Sequence, residues 1–308
     1  MDTTTKKRLK LSIFSCVKNE EIMVEDSLKS MKGADEIIIV DTGSTDKTIE
    51  IAKKYTDKIY TDYKWNDNFA EAKNYAMSKC TGDWIMGLDA DCRLEKGGIE
   101  KIRKAIEKTE SDILSVRLTP SDIKNKDNYY HYLPKVFRAS AGFEYVGRVH
   151  EFVKRKDGTS RGNEHTDITI TYLYSPNHHK DPDRNLRILL QEVKDNPTIA
   201  RWKFYLGREY SEKKEYIKAI WWLNEYLKIS HYPAEISNAY FIIAKCYWNL
   251  FMAEDARMLC SQAIRINPDF KEALLLMAEM HYSPMKERWL SFAEIATNKN
   301  VLFVKSKI

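Results

Sequence analysis

The sequence predicts a two-part protein, with an α/β domain on a mostly parallel mixed sheet followed by an all-α domain of helical repeats. Two observations support this prediction. Short apolar runs alternate with amphipathic segments in the first third of the chain, which is typical of β-α-β units. From about Asp183 onward the pattern is wholly helical and repeats itself. We therefore expect one domain over residues 1–182 and a second over residues 183–308.

The first third of the chain contains four apolar runs that predict buried strands. They are Leu11–Val17, Asp35–Asp41, Lys58–Thr61 and the run that begins at Trp84. Amphipathic helices are predicted up to about Met31, over Lys47–Tyr55 and over Asn66–Lys79. Right-handed crossovers make such strands parallel, so their carboxyl ends meet at one edge of the sheet, where ligands bind in folds of this class.

The pattern changes after Asp91, where a charged helix and then shorter strands predict mixed sheet. The helix is predicted over Glu95–Lys108, and the strands over Asp112–Thr119, Leu133–Ala139, Val149–Lys154 and Asp167–Tyr174. The intervening segment, Pro120 to His131, is polar and aromatic with poor periodicity. A loop of this length is either a functional lid or a surface excursion, and the sequence does not decide between them.

The helical half of the chain is self-similar. Leu206-Gly207-x-x-Tyr210 recurs as Ile243-Ala244-x-x-Tyr247 and, more weakly, as Met277-Ala278-x-x-His281, with offsets of 37 and 34 residues. These offsets are close to the period of about 34 residues of tetratricopeptide repeats. Stacked repeats of this kind form a concave surface, so we expect this half to bind a protein partner or acceptor or to self-associate.

Composition excludes several classes of protein. The 308 residues carry a net charge of +5 without a basic block, which argues against nucleic-acid binding. The five cysteines form no Cys-x-x-Cys pair and are widely spaced, which argues against a disulfide framework. No window approaches about 18 uninterrupted apolar residues, so no transmembrane segment is expected. We expect a cytoplasmic protein, and association with a membrane surface is compatible with this pattern.

Two carboxylates one residue apart, Asp89 and Asp91, follow the apolar run that begins at Trp84. At a strand end one of them can hold a divalent ion while the other holds a ligand hydroxyl or a water. The alternative is a turn in which the aspartates accept hydrogen bonds from nearby backbone amides. In a chain with 45 acidic residues the pair alone does not decide between these two.

Four motifs in the first 95 residues resemble those of family 2 glycosyltransferases of the GT-A fold, which is Rossmann-like. They are Ser15–Glu21 (SCVKNEE), Ile39–Asp46 (IVDTGSTD), Asn68–Asn74 (NFAEAKN) and Gly82–Asp91 (GDWIMGLDAD). A later Gly-Arg-Val-His-Glu motif at Gly147–Glu151, followed by tetratricopeptide-like repeats, matches a common bacterial arrangement of this family. The resemblance implies a nucleotide-sugar donor, uridine-linked in our interpretation, and Mn²⁺ or Mg²⁺. It also implies inversion at the anomeric carbon. The acceptor hydroxyl would belong to a glycan, a lipid-linked sugar or a protein.

The resemblance also implies roles for individual residues. Asp91 would bind the metal, and Asp89 would contact the ribose or the metal's water shell. A histidine often completes the metal site, and His150, His178 and His179 are available, with the adjacent pair the stronger candidates. Lys73 stands where the family often has arginine, which implies a contact with the donor. The alternative is that Lys73 lies on a solvated face of its helix. The residues expected to bind the donor are Val17, Asn19, Glu20, Asp41, Lys73, Asp89 and Ala90.

Inverting transfer needs a base that takes the proton of the acceptor hydroxyl, and a carboxylate suits this step. Glu151 is the candidate, because it follows the other acidic landmarks in the order that the family shows. The alternative is that Glu151 only forms an ion pair with Arg148 or Arg138. A different class of function is a non-catalytic scaffold, in which the repeats bind a protein and the first domain is a vestigial glycosyltransferase fold.

Overall fold

The computed structural model describes residues 8–121, 130–159, 162–175 and 181–297. The chain divides into two compact units, Met1–Pro182 and Asp183–Ile308. None of the helices within the described residues is long and apolar enough to cross a membrane. Most of the segment predicted as a lid or surface loop, Pro120 to His131, falls outside the described residues.

The first unit contains ten strands and four α-helices within its described part. The strands are β1 (Leu11–Val17), β2 (Glu36–Asp41), β3 (Ile59–Tyr60), β4 (Trp84–Gly87), β5 (Cys92–Leu94), β6 (Ile113–Pro120), β7 (His131–Arg138), β8 (Phe143–Val146), β9 (Phe152–Arg155) and β10 (Asn163–Tyr172). The helices are α1 (Val24–Ser30), α2 (Thr48–Ala52), α3 (Phe69–Ser78) and α4 (Gly98–Lys108).

Eight of these strands form one mixed sheet in the order β3-β2-β1-β4-β7-β6-β10-β5. The first four in this order are parallel to each other, and so are β6 and β10. Strand β7 runs antiparallel to both of its neighbours, and β5 is antiparallel to β10. Strands β8 and β9 form a separate hairpin. The predicted α/β class with a mostly parallel mixed sheet is therefore confirmed.

Apolar side chains cover the main sheet on both faces. On one face Ile13 and Met86 belong to a buried cluster with residues of α1 and α4. On the other face Phe14 and Phe137 pack with residues of α3 and with Tyr145 of the hairpin. Burial on both faces explains why β1 and β2 are almost continuously apolar. Because both faces are covered by the chain itself, a ligand has access at the strand ends.

The hairpin departs from its prediction. The sequence predicts a strand over Val149–Lys154, but β9 begins only at Phe152. His150 has a φ of 52°, in the left-handed region, and this conformation interrupts an extended strand. Strand β8, which is four residues long, was not predicted, because so short a run carries little periodicity.

The second unit is helical throughout its described part. Its helices are α5 (Arg184–Asp195), α6 (Ala200–Glu212), α7 (Tyr216–Leu227), α8 (Pro233–Asn249), α9 (Ala253–Ile266), α10 (Lys271–Glu279) and α11 (Met285–Ile295). A Cβ on Gly207 of α6 would come within 2.5 Å of Leu223 Cγ in α7, so any larger residue at 207 would displace Leu223. Its counterpart Ala244 is fully buried in a cluster with Ala256 and Met277. The predicted all-α repeat architecture is confirmed.

The buried carboxylate of Glu36 links neighbouring strands at the amino ends of the parallel strands. Glu36, at the start of β2, accepts hydrogen bonds from Lys58 Nζ and Ser12 Oγ. It also accepts from Thr81 N at 2.8 Å and Thr81 Oγ1 at 3.0 Å. Burial opposes ionisation, but these hydrogen bonds outweigh it and lower the pKa of Glu36 from 4.5 to about 2.

We expect Glu36 to make the protein sensitive to acid. The carboxylate has a lower pKa when folded, so its stabilisation is complete above pH 4.5 and is lost as the pH falls toward 2. By pH 3 the free energy of unfolding should have dropped by about 2 kcal/mol because of Glu36 alone. Chemical denaturation at pH 7 and pH 3 of the unaltered protein and Glu36→Gln measures the effect. An equal pH dependence in the two proteins would contradict it.

Candidate active site

Three loops meet at the carboxyl edge of the parallel strands. Val17, the last residue of β1, pairs with Asp41, the last residue of β2, and Phe14 of β1 pairs with Gly87, the last residue of β4. The loops that follow these strands are therefore neighbours. The fold brings the predicted residues after β1, after β2 and at 89–91 to one edge of the sheet.

The loops after β1 and β2 are joined by hydrogen bonds through Asn19. Its backbone N–H donates to Ser44 Oγ at 3.0 Å, and its Oδ1 accepts from Thr45 N at 2.7 Å. Asn19 has a φ of 56°, a conformation that asparagine tolerates better than most residues. Asn19 therefore fixes the shape of the loops after β1 and β2.

Asp41 caps the turn that follows β2. Its carboxylate accepts from the backbone N–H of Gly43 at 3.3 Å and of Ser44 at 3.1 Å. A carboxylate has about four lone-pair sites, so Asp41 keeps the capacity to bind a ligand hydroxyl. The side chains of Val17 and Ala90, in contrast, are buried in the apolar core. These two residues can meet a donor only through their peptide groups.

Asp91 is a buried carboxylate among other carboxylates. Burial, together with the nearby carboxylates of Asp89 and Glu20, raises its pKa from 3.8 to about 6. The end of β10 holds this segment in place, because Leu173 N donates to Asp91 O at 2.8 Å and Ser175 Oγ donates to Glu20 at 3.0 Å.

The surroundings of Asp91 fit a divalent cation. A cation would relieve the repulsion between Asp91 and its acidic neighbours, and carboxylate oxygens are the ligands that Mg²⁺ and Mn²⁺ prefer. Within the described residues, no group of three or more His, Cys, Asp or Glu side chains is placed to hold a metal. The candidate ligands His178 and His179 lie outside the described residues, so their assignment stays a prediction.

Asp89 lies in an alternating chain of charges that runs Lys135–Asp89–Lys73–Glu151. Lys135 Nζ is 3.2 Å from Asp89 Oδ2, Lys73 Nζ is 3.2 Å from Asp89 Oδ1, and Lys73 Nζ is 2.5 Å from Glu151 Oε1. Burial opposes the charge on Asp89, but Lys135 and Lys73 outweigh it and lower the pKa of the carboxyl well below its usual range. We call these four residues the charge cluster.

The charge cluster bears on two alternatives that the sequence left open, the environment of Lys73 and the ion pair of Glu151. The side chain of Lys73 is only 12% exposed and its ammonium group pairs with both Asp89 and Glu151, so the solvated-face interpretation of this residue is wrong. Glu151 forms its ion pair with Lys73, whereas Arg138 pairs with Asp112 at 2.9 Å. Burial opposes ionisation of Glu151, but Lys73 lowers the pKa of this carboxyl overall. Glu151 is thus ionised at neutral pH.

Helix α3 and the hairpin hold Glu151 against the sheet. Asn74 Nδ2 donates to Tyr145 O at 2.9 Å, and Tyr145 N donates to Asn74 Oδ1 at 2.8 Å, so one side chain replaces a strand partner for β8. At the start of α3, Phe69 N donates to Arg148 O at 2.8 Å. These contacts determine where the Gly-Arg-Val-His-Glu motif lies.

Sequence reasoning missed Lys135. It is buried in β7 and contacts Asp89, although it is 46 residues away along the chain. The available signal was a lysine between Pro134 and Val136 in an otherwise apolar run. A lysine that is almost fully buried is unusual without an ionic partner.

The family of the chain follows from a model described as "Glycosyl transferase family 2", which matches residues 12–173. This match covers more than half of the 308 residues. The chain belongs to glycosyl transferase family 2. The resemblance inferred from the four motifs is therefore confirmed.

Relatives of known name include a glycosyltransferase and a TPR repeat-containing protein. The chain is 26% identical to the SPbeta prophage-derived glycosyltransferase SunS of Bacillus subtilis over 202 residues, which is 63% of this chain and 47% of SunS. It is 32% identical to a TPR repeat-containing protein of Synechococcus elongatus over 145 residues, 46% of this chain and 35% of that protein. The chain thus spans half or less of the length of these two relatives.

Among solved structures, this chain is similar to Staphylococcus aureus TarS, residues 1–349, in complex with UDP-GlcNAc. The identity is 15% and the TM-score 0.46, with 93% of this chain and 91% of that chain covered. Glucosyl-3-phosphoglycerate synthase from Mycobacterium tuberculosis, in complex with Mg²⁺ and UDP, is similar at 13% identity and a TM-score of 0.42, over 59% of this chain and 78% of that chain.

Proposed function

We propose that this glycosyltransferase moves a sugar from a uridine diphosphate sugar to an acceptor hydroxyl, with inversion, and that Mn²⁺ or Mg²⁺ assists. The observation that carries the proposal is the grouping of carboxylates at the carboxyl ends of the parallel strands. Asp91 and Glu20 lie there beside Asp89, and the charge cluster links Asp89 to Glu151. The carboxylates that we propose as metal ligands and as the base are thus grouped at the edge where this class of fold binds nucleotides.

The loops after β1 and β2 would bind the nucleoside. Asn19 gives these loops their shape, and Asp41 keeps lone pairs for a ribose or base group. The peptides of Val17, Glu20 and Ala90 line the same edge. A uridine-linked donor is our proposal because the family resemblance of these motifs favours it.

Asp91 and Glu20 would hold the divalent cation. Hard carboxylate oxygens suit Mg²⁺ and Mn²⁺, and such a cation stabilises the negative charge that develops on a leaving diphosphate. His178 or His179 would complete the protein ligands. Lys73 and Lys135 both contact the neighbouring carboxylate of Asp89, at 3.2 Å each.

Glu151 would act as the base. Its lowered pKa keeps the carboxylate ionised at neutral pH, so it is ready to accept the proton of an acceptor hydroxyl. Lys73 occupies one of the lone-pair sites of Glu151, and the others can accept a hydroxyl. Asn74 and the hairpin keep this carboxylate in position.

The acceptor would be a glycan, a lipid-linked sugar or a protein. One relative, LpsC of Rhizobium meliloti, is named a lipopolysaccharide core biosynthesis glycosyltransferase and is 27% identical over 157 residues, 47% of this chain and 57% of that protein. This name favours a cell-envelope glycan. The helical repeats of the second unit would bind the acceptor or a protein partner, or would associate with a second copy of the chain.

Binding and release of the diphosphate test the proposal. UDP with Mn²⁺ at 100 times its dissociation constant should stabilise the protein by about 2.7 kcal/mol, and a chelator should abolish the gain. A screen of nucleotide sugars should then show release of UDP that depends on the metal. If UDP with Mn²⁺ does not stabilise the protein and no nucleotide sugar gives release of UDP, the proposal is contradicted and the scaffold function is favoured.

A further inference from the structure

Lys135 occupies an irregular position in the sheet. Leu114 of β6 pairs with Val136, but the next residue of β6, Ser115, pairs with Pro134. Lys135 is therefore the extra residue of a β-bulge. Bulges occur often beside active sites, where they redirect a side chain that a regular strand would point elsewhere. Here the redirected side chain reaches Asp89.

The exposure of the three side chains shows which of them a ligand can reach. Those of Lys135 and Lys73 are 9% and 12% exposed, whereas that of Asp89 is 38% exposed. The two lysines contact different oxygens of Asp89, Oδ2 and Oδ1, at 3.2 Å each. Asp89 thus presents an open side to ligand while both of its oxygens are held by lysines that solvent hardly reaches.

This arrangement limits what Asp89 can bind. Two ammonium groups close to the carboxylate repel a divalent cation on the same oxygens, because like charges at this range in a poorly solvated site interact strongly. Each oxygen retains a lone pair that can accept from a hydroxyl. The cation is therefore favoured at Asp91, and a hydroxyl is favoured at Asp89.

We propose that Lys135 is a positioning residue for the binding of the nucleotide-sugar donor. Together with Lys73 it holds the Asp89 carboxylate so that the exposed side of this carboxylate accepts a hydrogen bond from a hydroxyl of the nucleotide. The inference rests on the proposed function and extends it to a residue outside the four motifs. Lys135 itself does not touch the donor. Its whole effect on donor binding passes through Asp89.

A double-mutant cycle on nucleotide affinity tests this statement. The dissociation constant of UDP in the presence of Mn²⁺ is measured by calorimetry for the full chain, Lys135→Met, Asp89→Asn and the double variant. Each single change should weaken binding about tenfold, the range for a charge-assisted hydrogen bond. The double variant should be no weaker than Asp89→Asn, because Lys135 has nothing left to position.

Two further variants separate positioning from folding. Lys135→Arg keeps the charge and should retain most of the affinity. Lys154→Met removes a lysine whose ion pair with Glu144, at 3.4 Å, lies on the hairpin away from the charge cluster, and it should leave the affinity unchanged. Thermal melting of every variant identifies any that does not fold, and Lys135→Gln then takes the place of Lys135→Met in the cycle.

The outcomes are distinct. A double variant that binds no more weakly than Asp89→Asn supports the inference. If the effects of the two single changes multiply in the double variant, the inference is overturned, because Lys135 then contacts the nucleotide by itself. Unchanged affinity in Lys135→Met would also overturn it. If the unaltered protein binds no UDP at all, the proposed function fails first and the inference falls with it.

Discussion

Replacing Asp91 by asparagine is expected to abolish metal-dependent turnover of the donor, with a loss of at least about a thousandfold in kcat/KM. Asparagine keeps the size of the side chain but loses the negative charge that a divalent cation requires. The change should not unfold the protein. Asp91 is buried beside Asp89 and Glu20, so a neutral side chain removes repulsion and should raise the melting temperature of the metal-free protein.

Opposite effects on activity and stability would identify Asp91 as a functional residue. A purely structural aspartate would lose stability when replaced, whereas a metal ligand held among carboxylates gains it. UDP release and melting temperature, each with and without Mn²⁺, measure both effects. Asp57→Asn, at an exposed position before β3, is the matched control and should change neither. Metal-dependent release retained in Asp91→Asn would show that the cation binds elsewhere.

The fold could be predicted where strands are buried on both faces. Strands β1, β2 and β4 are apolar runs of four to seven residues, and their positions were anticipated within one or two residues. Strand β5 was missed because its three residues, Cys92–Leu94, directly follow Asp91 and carry no periodicity. The hydrophobic pattern of a segment thus predicts strands that are buried on both faces. It does not predict a short strand such as β5, which forms only because it pairs with a strand distant in the sequence.

The site residues also divide into those whose location the sequence predicts and those whose location it does not. Parallel strands end at one edge, so the shared location of Asp41 and Asp89 followed from strand order alone. The partner of Glu151 did not, because Lys73 lies 78 residues earlier in the chain and reaches it only through the packing of α3. The bulge that directs Lys135 toward Asp89 also has no sequence signature in a single chain.

The partner of Glu151 affects how its role can be tested. In the charge cluster a change at Glu151 could act through lost ion pairing instead of lost basicity. Lys73 also contacts Asp89 at 3.2 Å, so neutralising Glu151 does not leave the lysine without a counter-charge. A neutral, isosteric replacement of Glu151 therefore removes basicity with little structural cost.

Glu151→Gln is accordingly expected to lower kcat for transfer by about a hundredfold to ten-thousandfold, the range for loss of a general base. The affinity for UDP with Mn²⁺ should change by no more than a few-fold, because Glu151 is not among the residues proposed to hold the donor. Glu144→Gln, which neutralises the hairpin glutamate paired with Lys154, is the matched control and should retain full transfer. Transfer rates with a true acceptor and calorimetric affinities separate the two parameters. If Glu151→Gln keeps full transfer, or loses it only through weaker donor binding, the carboxylate serves as an ion-pair partner of Lys73 and the base is another group.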